Sequence, residues 1–101
     1  MRLTLATTLV LQAIQRGHRY GFDIVDVTQF PTGTIYPALR RLERAGFVRS
    51  EWESDRTAAS EGRPARRYYE ITPRGGEALE ASLSRIRTLR IIGVKPKAAS
   101  P

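Results

Sequence analysis

The chain has 101 residues, no cysteine, and 17 Lys and Arg against 10 Asp and Glu, a formal charge of +7. Its length fits one small domain with a modest core, which association between copies would reinforce. The lack of cysteine excludes disulfides, thiolate catalysis and most zinc sites, and the positive balance favours a polyanionic partner such as nucleic acid. Arginine dominates that balance, Lys95 and Lys97 being the only lysines. A compositional bias would account for the charge equally well, so placement has to decide.

No apolar run is long enough to span a bilayer. The opening "MRLTLATTLVLQ" is broken by Thr4, Thr7, Thr8 and Gln12 and lacks the long apolar stretch of a signal peptide. The expectation is a soluble, non-secreted, cytoplasmic protein with no membrane partner.

Residues 3–16 are helical by pattern, with Leu3, Ala6, Val10, Ala13 and Ile14 on one stripe. Leu5 and Leu9 lie beside that stripe and Leu11 extends it the other way, so the apolar arc is wider than a surface helix needs. A second cover is expected, supplied by another copy. "RGHRYG" is a break. "YGFDIVDVTQF" predicts a short second helix packing through Phe22, Ile24, Val25 and Val27, stopped by Pro31.

A third helix is predicted from about Thr32 to Ala45, with Gly46 as its C-terminal cap. At steps of about 100° per residue, Ile35, Leu39 and Leu42 share the core side. Gly33, Pro37 and Arg44 fall nearly opposite, flanked by Arg40 and Arg41, while Tyr36 points sideways near Glu43. The outer face is thus slim at the front and cationic behind, as a helix entering a major groove requires. Backbone N–H groups of the first turn attract phosphate, and arginine pairs with guanine by two hydrogen bonds. The alternative is a surface helix with solvated arginines. Pro37 costs little only if the helix begins near Gly33 or Thr34.

"FVRSEWES" and "RRYYEIT" have strand character, with Val48, Ser50 and Trp52 at period two. Between them "DRTAASEGRPA" predicts a mobile hairpin loop, longer than most such connections. Its exit places Arg63, Arg66 and Arg67 around a glycine and a proline, suiting a wing that reaches phosphate or a narrow minor groove. In the last segment Thr72 is a good N-cap and Pro73 fits the first helical position, whereas Gly75 and Gly76 weaken the first turn. Leu79, Leu83, Ile86 and Leu89 form a seam that wants a partner, and Gly93 closes the helix. "VKPKAASP" has no pattern and is expected to be disordered.

The predicted order is three helices, a β-hairpin and a final helix: mainly α within an α+β class, a winged helix-turn-helix with the third helix as reader. The expected layout is a DNA-binding domain over 1–72, a dimerisation helix over 73–93 and a tail over 94–101.

The stretches "GHRYGFDI", "GTIYPALRRLERAGFV", "SEW" and "EGRPARRYYEITPRG" closely resemble the PadR family of bacterial transcriptional regulators, over roughly residues 5 to 80. The most specific piece is Gly33 to Leu39 with Arg40, Leu42, Glu43 and Gly46. The second is Gly62-Arg63-Pro64 with Arg67, Tyr68, Tyr69 and Thr72. The resemblance implies a dimeric winged-helix repressor on a palindromic operator, its last helix packed with the first to form the homodimer. Leu5, Leu9, Leu79, Leu83, Ile86 and Leu89 would then lie at that interface. Thr34, Tyr36 and Pro37 match the family's DNA-facing leading turn, with Arg40, Arg41 and Arg44 behind and Arg63, Arg66 and Arg67 in the wing. Tyr20 matches the start of the second helix, within reach of a phosphate. Tyr68, Tyr69 and Trp52 would be sheet and core residues. Where the family often has Ser-Pro before the glycine, this chain has Pro31-Thr32. Thr32 joins the DNA-facing set, and the helix start is left open. Some small members bind flat drugs against a tryptophan of the last helix. Here the one tryptophan, Trp52, lies in the first strand, so that ligand mode is not expected, while a small-molecule effector of unknown identity stays open.

No cofactor and no enzyme are expected. The single histidine, His18, has no triad or metal partner at sequence spacing, and the pairs Glu51/Glu53 and Glu77/Glu80 fall at solvated positions. The rival reading is a winged helix used as a protein-interaction or assembly module. Such modules usually lose the cationic face that is kept here.

Overall fold

The structure is a computed structural model describing residues 2–92, with side chains described through Leu89. Gly93 and the tail 94–101 lie outside the described residues. α1 spans Leu5–Gln15 rather than 3–16. The Thr4 hydroxyl accepts from the Thr7 N–H at 3.1 Å and sets the start, leaving Leu3 buried beside the helix rather than in it. Val10, Leu11 and Ile14 are buried, and so are Thr7 and Thr8. Leu5 stays 63% exposed and Leu9 half-buried, so the chain covers one side of the wide apolar arc and leaves the other open.

α2 spans Gly21–Thr28. Of its four expected packing residues Ile24 is fully buried and Val25 half-buried, but Phe22 and Val27 are exposed. Two residues apart on a helix means nearly opposite directions, so Phe22 points away when Ile24 points in. The helix ends at Gln29 in the left-handed conformation, with φ 61° and its N–H bonded to the Val25 carbonyl at 2.8 Å.

α3 then runs Thr32–Arg44, with Pro31 at the cap position and no side chain capping it. Ile35, Leu39 and Leu42 hold it to the core as expected, and Ala38 joins them. Pro37 sits in its sixth position, one or two places further in than a start near Gly33 or Thr34 would put it. It therefore costs the bond that the Gly33 carbonyl would accept; Gly33 is exposed, so water can take that place. Gly46, at φ 77°, turns the chain out of the helix.

β1 (Val48–Trp52) pairs antiparallel with β2 (Arg67–Ile71), setting Val48 opposite Ile71, Ser50 opposite Tyr69 and Trp52 opposite Arg67. A short third edge escaped the sequence. Tyr20 bridges to Tyr68, the Tyr69 N–H donates to the Arg19 carbonyl at 2.7 Å, and Arg19 Nε returns a bond to the Tyr69 carbonyl at 3.0 Å.

The hairpin connection differs most from expectation. It is not an irregular loop: α4 spans Asp55–Ser60, capped by Ser54, with Ala58 buried.

α5 runs Pro73–Ile92. Thr72 caps it, accepting from the Gly75 N–H at 3.1 Å and donating to the Gly46 carbonyl at 2.6 Å. Gly75 is no mere weakness, since a Cβ there would collide with the Phe47 carbonyl. Leu79 is buried against the core, and a 2.7 Å hydrogen bond between the Thr8 and Ser82 hydroxyls ties α5 to α1 inside it.

Candidate nucleic-acid interface

α2, a three-residue turn and α3 form the helix-turn-helix, and the β1–β2 hairpin stands beside α3. A cleft of about 340 Å³ lies where these meet. Tyr20, Gly21 and Phe22 come from the front of α2, Tyr36 and Arg40 from α3, and Trp52, Arg66, Arg67 and Tyr69 from the hairpin. The third helix and the wing base thus present cations to one space, a juxtaposition that sequence spacing could not give.

On α3 the front is slim, as predicted. Thr32 and Gly33 are exposed and Thr34 and Pro37 half-buried, and with no capping side chain the N–H groups of Thr32 and Gly33 remain open to an acceptor. Tyr36 is less free than its expected role suggests. Its ring packs so closely on Gly21 that a Cβ there would overlap it, which locks the start of α2 to α3. Arg40, Arg41 and Arg44 are exposed, and none forms an ion pair among the described residues.

The three wing arginines have three different situations. Arg63 is held by Glu53, its two terminal nitrogens donating to the two carboxylate oxygens at 2.5 and 3.0 Å. Both side chains are largely covered, Glu53 being only 8% exposed, which corrects the expectation that Glu53 is solvated. The Arg63 hydrogen bonds hold the Glu53 carboxyl down at about 2 against the cost of burial, helped by the Arg66 backbone N–H and the Tyr68 hydroxyl. The same contact raises Arg63 above its usual value. Arg66 stacks on Tyr20, its guanidinium carbon 4.0 Å from the ring centroid, and Tyr68 meets the edge of Tyr20 at 5.8 Å. Arg67 donates to Glu43 at 3.1 Å and to Ser50 at 2.9 Å. Of the three, only Arg66 is without a carboxylate.

Tyr69 is buried, and burial pushes its phenol up. Trp52 is 63% exposed instead of in the core; β1 keeps its alternation but carries Trp52 past the end of the packed layer. His18 does have a carboxylate, Asp23 of α2, at 3.1 Å, an in-turn contact that fixes the loop before α2. Sequence reasoning missed the carboxylates Glu43 and Glu53, because their partners lie 24 and 10 residues away and no periodicity joins them.

Three helices, a hairpin wing and cations gathered at their junction define a winged helix-turn-helix protein of the DNA-binding class. A crystal structure of a PadR family transcription regulator from Clostridium difficile R20291 is similar, with TM-score 0.77 and 21% identity over 88% of this chain and 94% of that one. A PadR-like transcription factor from Bacteroides fragilis matches with TM-score 0.64 and 27% identity over 86% and 88%. A third similar structure, TM-score 0.69 and 21% identity over 96% of this chain and 70% of that one, is Bordetella bronchiseptica BpsR, whose DNA binding is regulated by 6-hydroxynicotinic acid. No curated protein sequence matches the chain. The transcriptional regulator PadR-like family pattern matches residues 10–81, and the chain belongs to that family. Its members are transcriptional regulators, not enzymes. The match spans every residue expected to face DNA, but ends before Leu83, Ile86 and Leu89 and begins after Leu5 and Leu9. No described helix is long and apolar enough to cross a membrane.

Proposed function

We propose that the protein is a cytoplasmic, dimeric repressor that binds a palindromic operator through α3 and the base of the wing. The observation that carries this reading is the meeting of Arg40 and Arg66 in one cleft, continued along α3 by Arg41 and Arg44 without carboxylate partners. Arginines so placed neutralise phosphate and pair with guanine, while the slim front of Thr32, Thr34 and Pro37 admits the helix to the major groove. Tyr36 and Tyr20 hold the front of α2 and Arg66 in position at the same surface.

Two copies are proposed to join through α1 and α5. Leu5 is 63% and Leu89 50% exposed, with Leu9, Leu83 and Ile86 only half-buried, an apolar strip on one side of a small domain. Only Leu79, of the six residues expected there, is fully buried within the single chain, where it serves the core. A two-fold dimer would place half-sites about one helical turn, ~34 Å, apart.

The test is binding to two duplexes of equal length across a salt series, one selected by the protein from a random pool and one of random sequence. A DNA reader prefers the selected duplex, and its log affinity falls with log salt at about −0.9 per phosphate neutralised. An assembly module binds neither, even at low salt, and that result would reject the proposal.

A further inference from the structure

Glu43 is an anion on the reading helix of a protein that binds a polyanion, and its surroundings explain why it is there. It stands in the last turn of α3, three positions before Gly46 turns the chain towards the wing. Ser50 in the middle of β1 donates its hydroxyl to one Glu43 oxygen at 2.7 Å. Arg67, the first residue of β2, donates through Nη2 to the other oxygen at 3.1 Å and through Nε to the Ser50 hydroxyl at 2.9 Å. The three side chains close a ring that joins reading helix, first strand and second strand. Ser50 lies opposite Tyr69 in the hairpin register, and Arg67 opposite Trp52, so the ring sits on the face of the hairpin that turns towards α3. Tyr69 and Trp52 flank Arg67, each ring centroid 5.8 Å from its guanidinium carbon.

We infer that Glu43 is a positioning residue for DNA binding: it ties Arg67 down against the hairpin surface and so sets the wing against α3, leaving Arg40 and Arg66 to meet the DNA. This deepens the proposed DNA-binding function and rests on it. An arginine at the mouth of a cationic cleft neutralises any nearby phosphate, whatever the base sequence. Pinned by Glu43 and Ser50, Arg67 gives up that indiscriminate contact and serves as a strut. The ring's side chains are only part covered, at 41% and 34% exposure for Arg67 and Glu43, so its worth lies in geometry and in withholding a charge rather than in bulk stability.

The experiment measures log–log salt slopes for wild type, Glu43→Gln, Arg67→Ala and the double variant, on the selected duplex and on the random duplex. In Glu43→Gln the released Arg67 gains a phosphate. Random-duplex affinity rises at low salt, the slope steepens by about 0.9, and the ratio of selected to random affinity falls. Adding Arg67→Ala returns the slope to the wild-type value. Arg67→Ala alone keeps the wild-type slope but weakens the selected duplex, because the strut is gone while no phosphate contact is lost. This single surface variant decides the matter even if Glu43→Gln folds poorly. A slope that flattens by about one phosphate in Arg67→Ala overturns the inference, since Arg67 then touches DNA in the wild type. So does a steeper slope in Glu43→Gln that persists without Arg67, which would assign the effect to the lost carboxylate charge. If wild type binds neither duplex, the functional reading itself falls.

Discussion

Arg63 grips Glu53 by two hydrogen bonds across ten residues of chain, tying the exit of the wing loop to the end of the first strand. The Glu53 carboxylate also accepts from the Arg66 backbone N–H and the Tyr68 hydroxyl, both at the longer distances of 3.3 and 3.4 Å. One buried carboxylate therefore closes the loop that contains α4 and steadies the segment from which Arg66 leans onto Tyr20.

This contact carries a pH signature. The Glu53 carboxyl is lowered to about 2 in the folded state from a usual value of 4.5. A depressed carboxyl stabilises the fold fully above its unfolded value and loses that contribution as pH falls through its folded value. Between about pH 4.5 and 2 the wild type should thus lose the wing's anchor. Glu53→Gln should be less stable than wild type at pH 6, and the gap should narrow at pH 3. Urea midpoints at the two pH values check this, and a gap that stays constant would contradict the role given to Glu53.

Arg40 is exposed, lines the cleft and has no carboxylate partner. Arg40→Ala should weaken the selected duplex by ~1–3 kcal/mol more than the random one if it makes a two-point base contact. Fluorescence anisotropy on both duplexes measures the difference. Equal losses would make Arg40 a phosphate contact.

Inside the core, the Thr8 hydroxyl donates to the Thr4 carbonyl at 2.8 Å, so in the 2.7 Å contact Ser82 is the donor. Thr8→Val removes that acceptor and leaves the buried Ser82 O–H without one, its oxygen keeping only the 3.4 Å contact from Arg85, at a cost of about 1–3 kcal/mol. Adding Ser82→Ala should recover much of the loss, because both partners are then apolar. A thermal or urea cycle over the four proteins supplies the coupling, and purely additive losses would deny the bond its importance.

Leu5 and Leu89 are exposed in the single chain, so charging them need not disturb a protomer. Leu5→Asp with Leu89→Asp should halve the solution mass by light scattering while circular dichroism is unchanged. An unchanged mass would place the dimer contact elsewhere.

Local pattern carried the elements far. The core stripe of α3, its Gly46 exit, the Thr72 cap and the strand alternation are each written within a few residues of one another, because helix and strand periods act at that range. The family motif also lies in such contiguous runs, Gly33 to Leu39 and Gly62 to Pro64, and so was legible. The start of α3 was left open around Thr32, since Pro31-Thr32 offers no capping side chain; the helix begins at Thr32, where the Pro31 carbonyl accepts from the Thr34 and Ile35 N–H groups.

The sequence by itself determined the order of elements apart from α4, the core stripes of α1 and α3 and an excess of arginine. Only the tertiary structure decided what each arginine is for. Arg63, Arg66 and Arg67 are near neighbours in one cationic run, yet one is bound to Glu53, one lies on Tyr20 and one is tied to Glu43 and Ser50. Those partners arrive from other elements through strand register and helix docking. A charge's role depends on what stands within a few ångströms of it, and that neighbourhood exists only once the chain has folded.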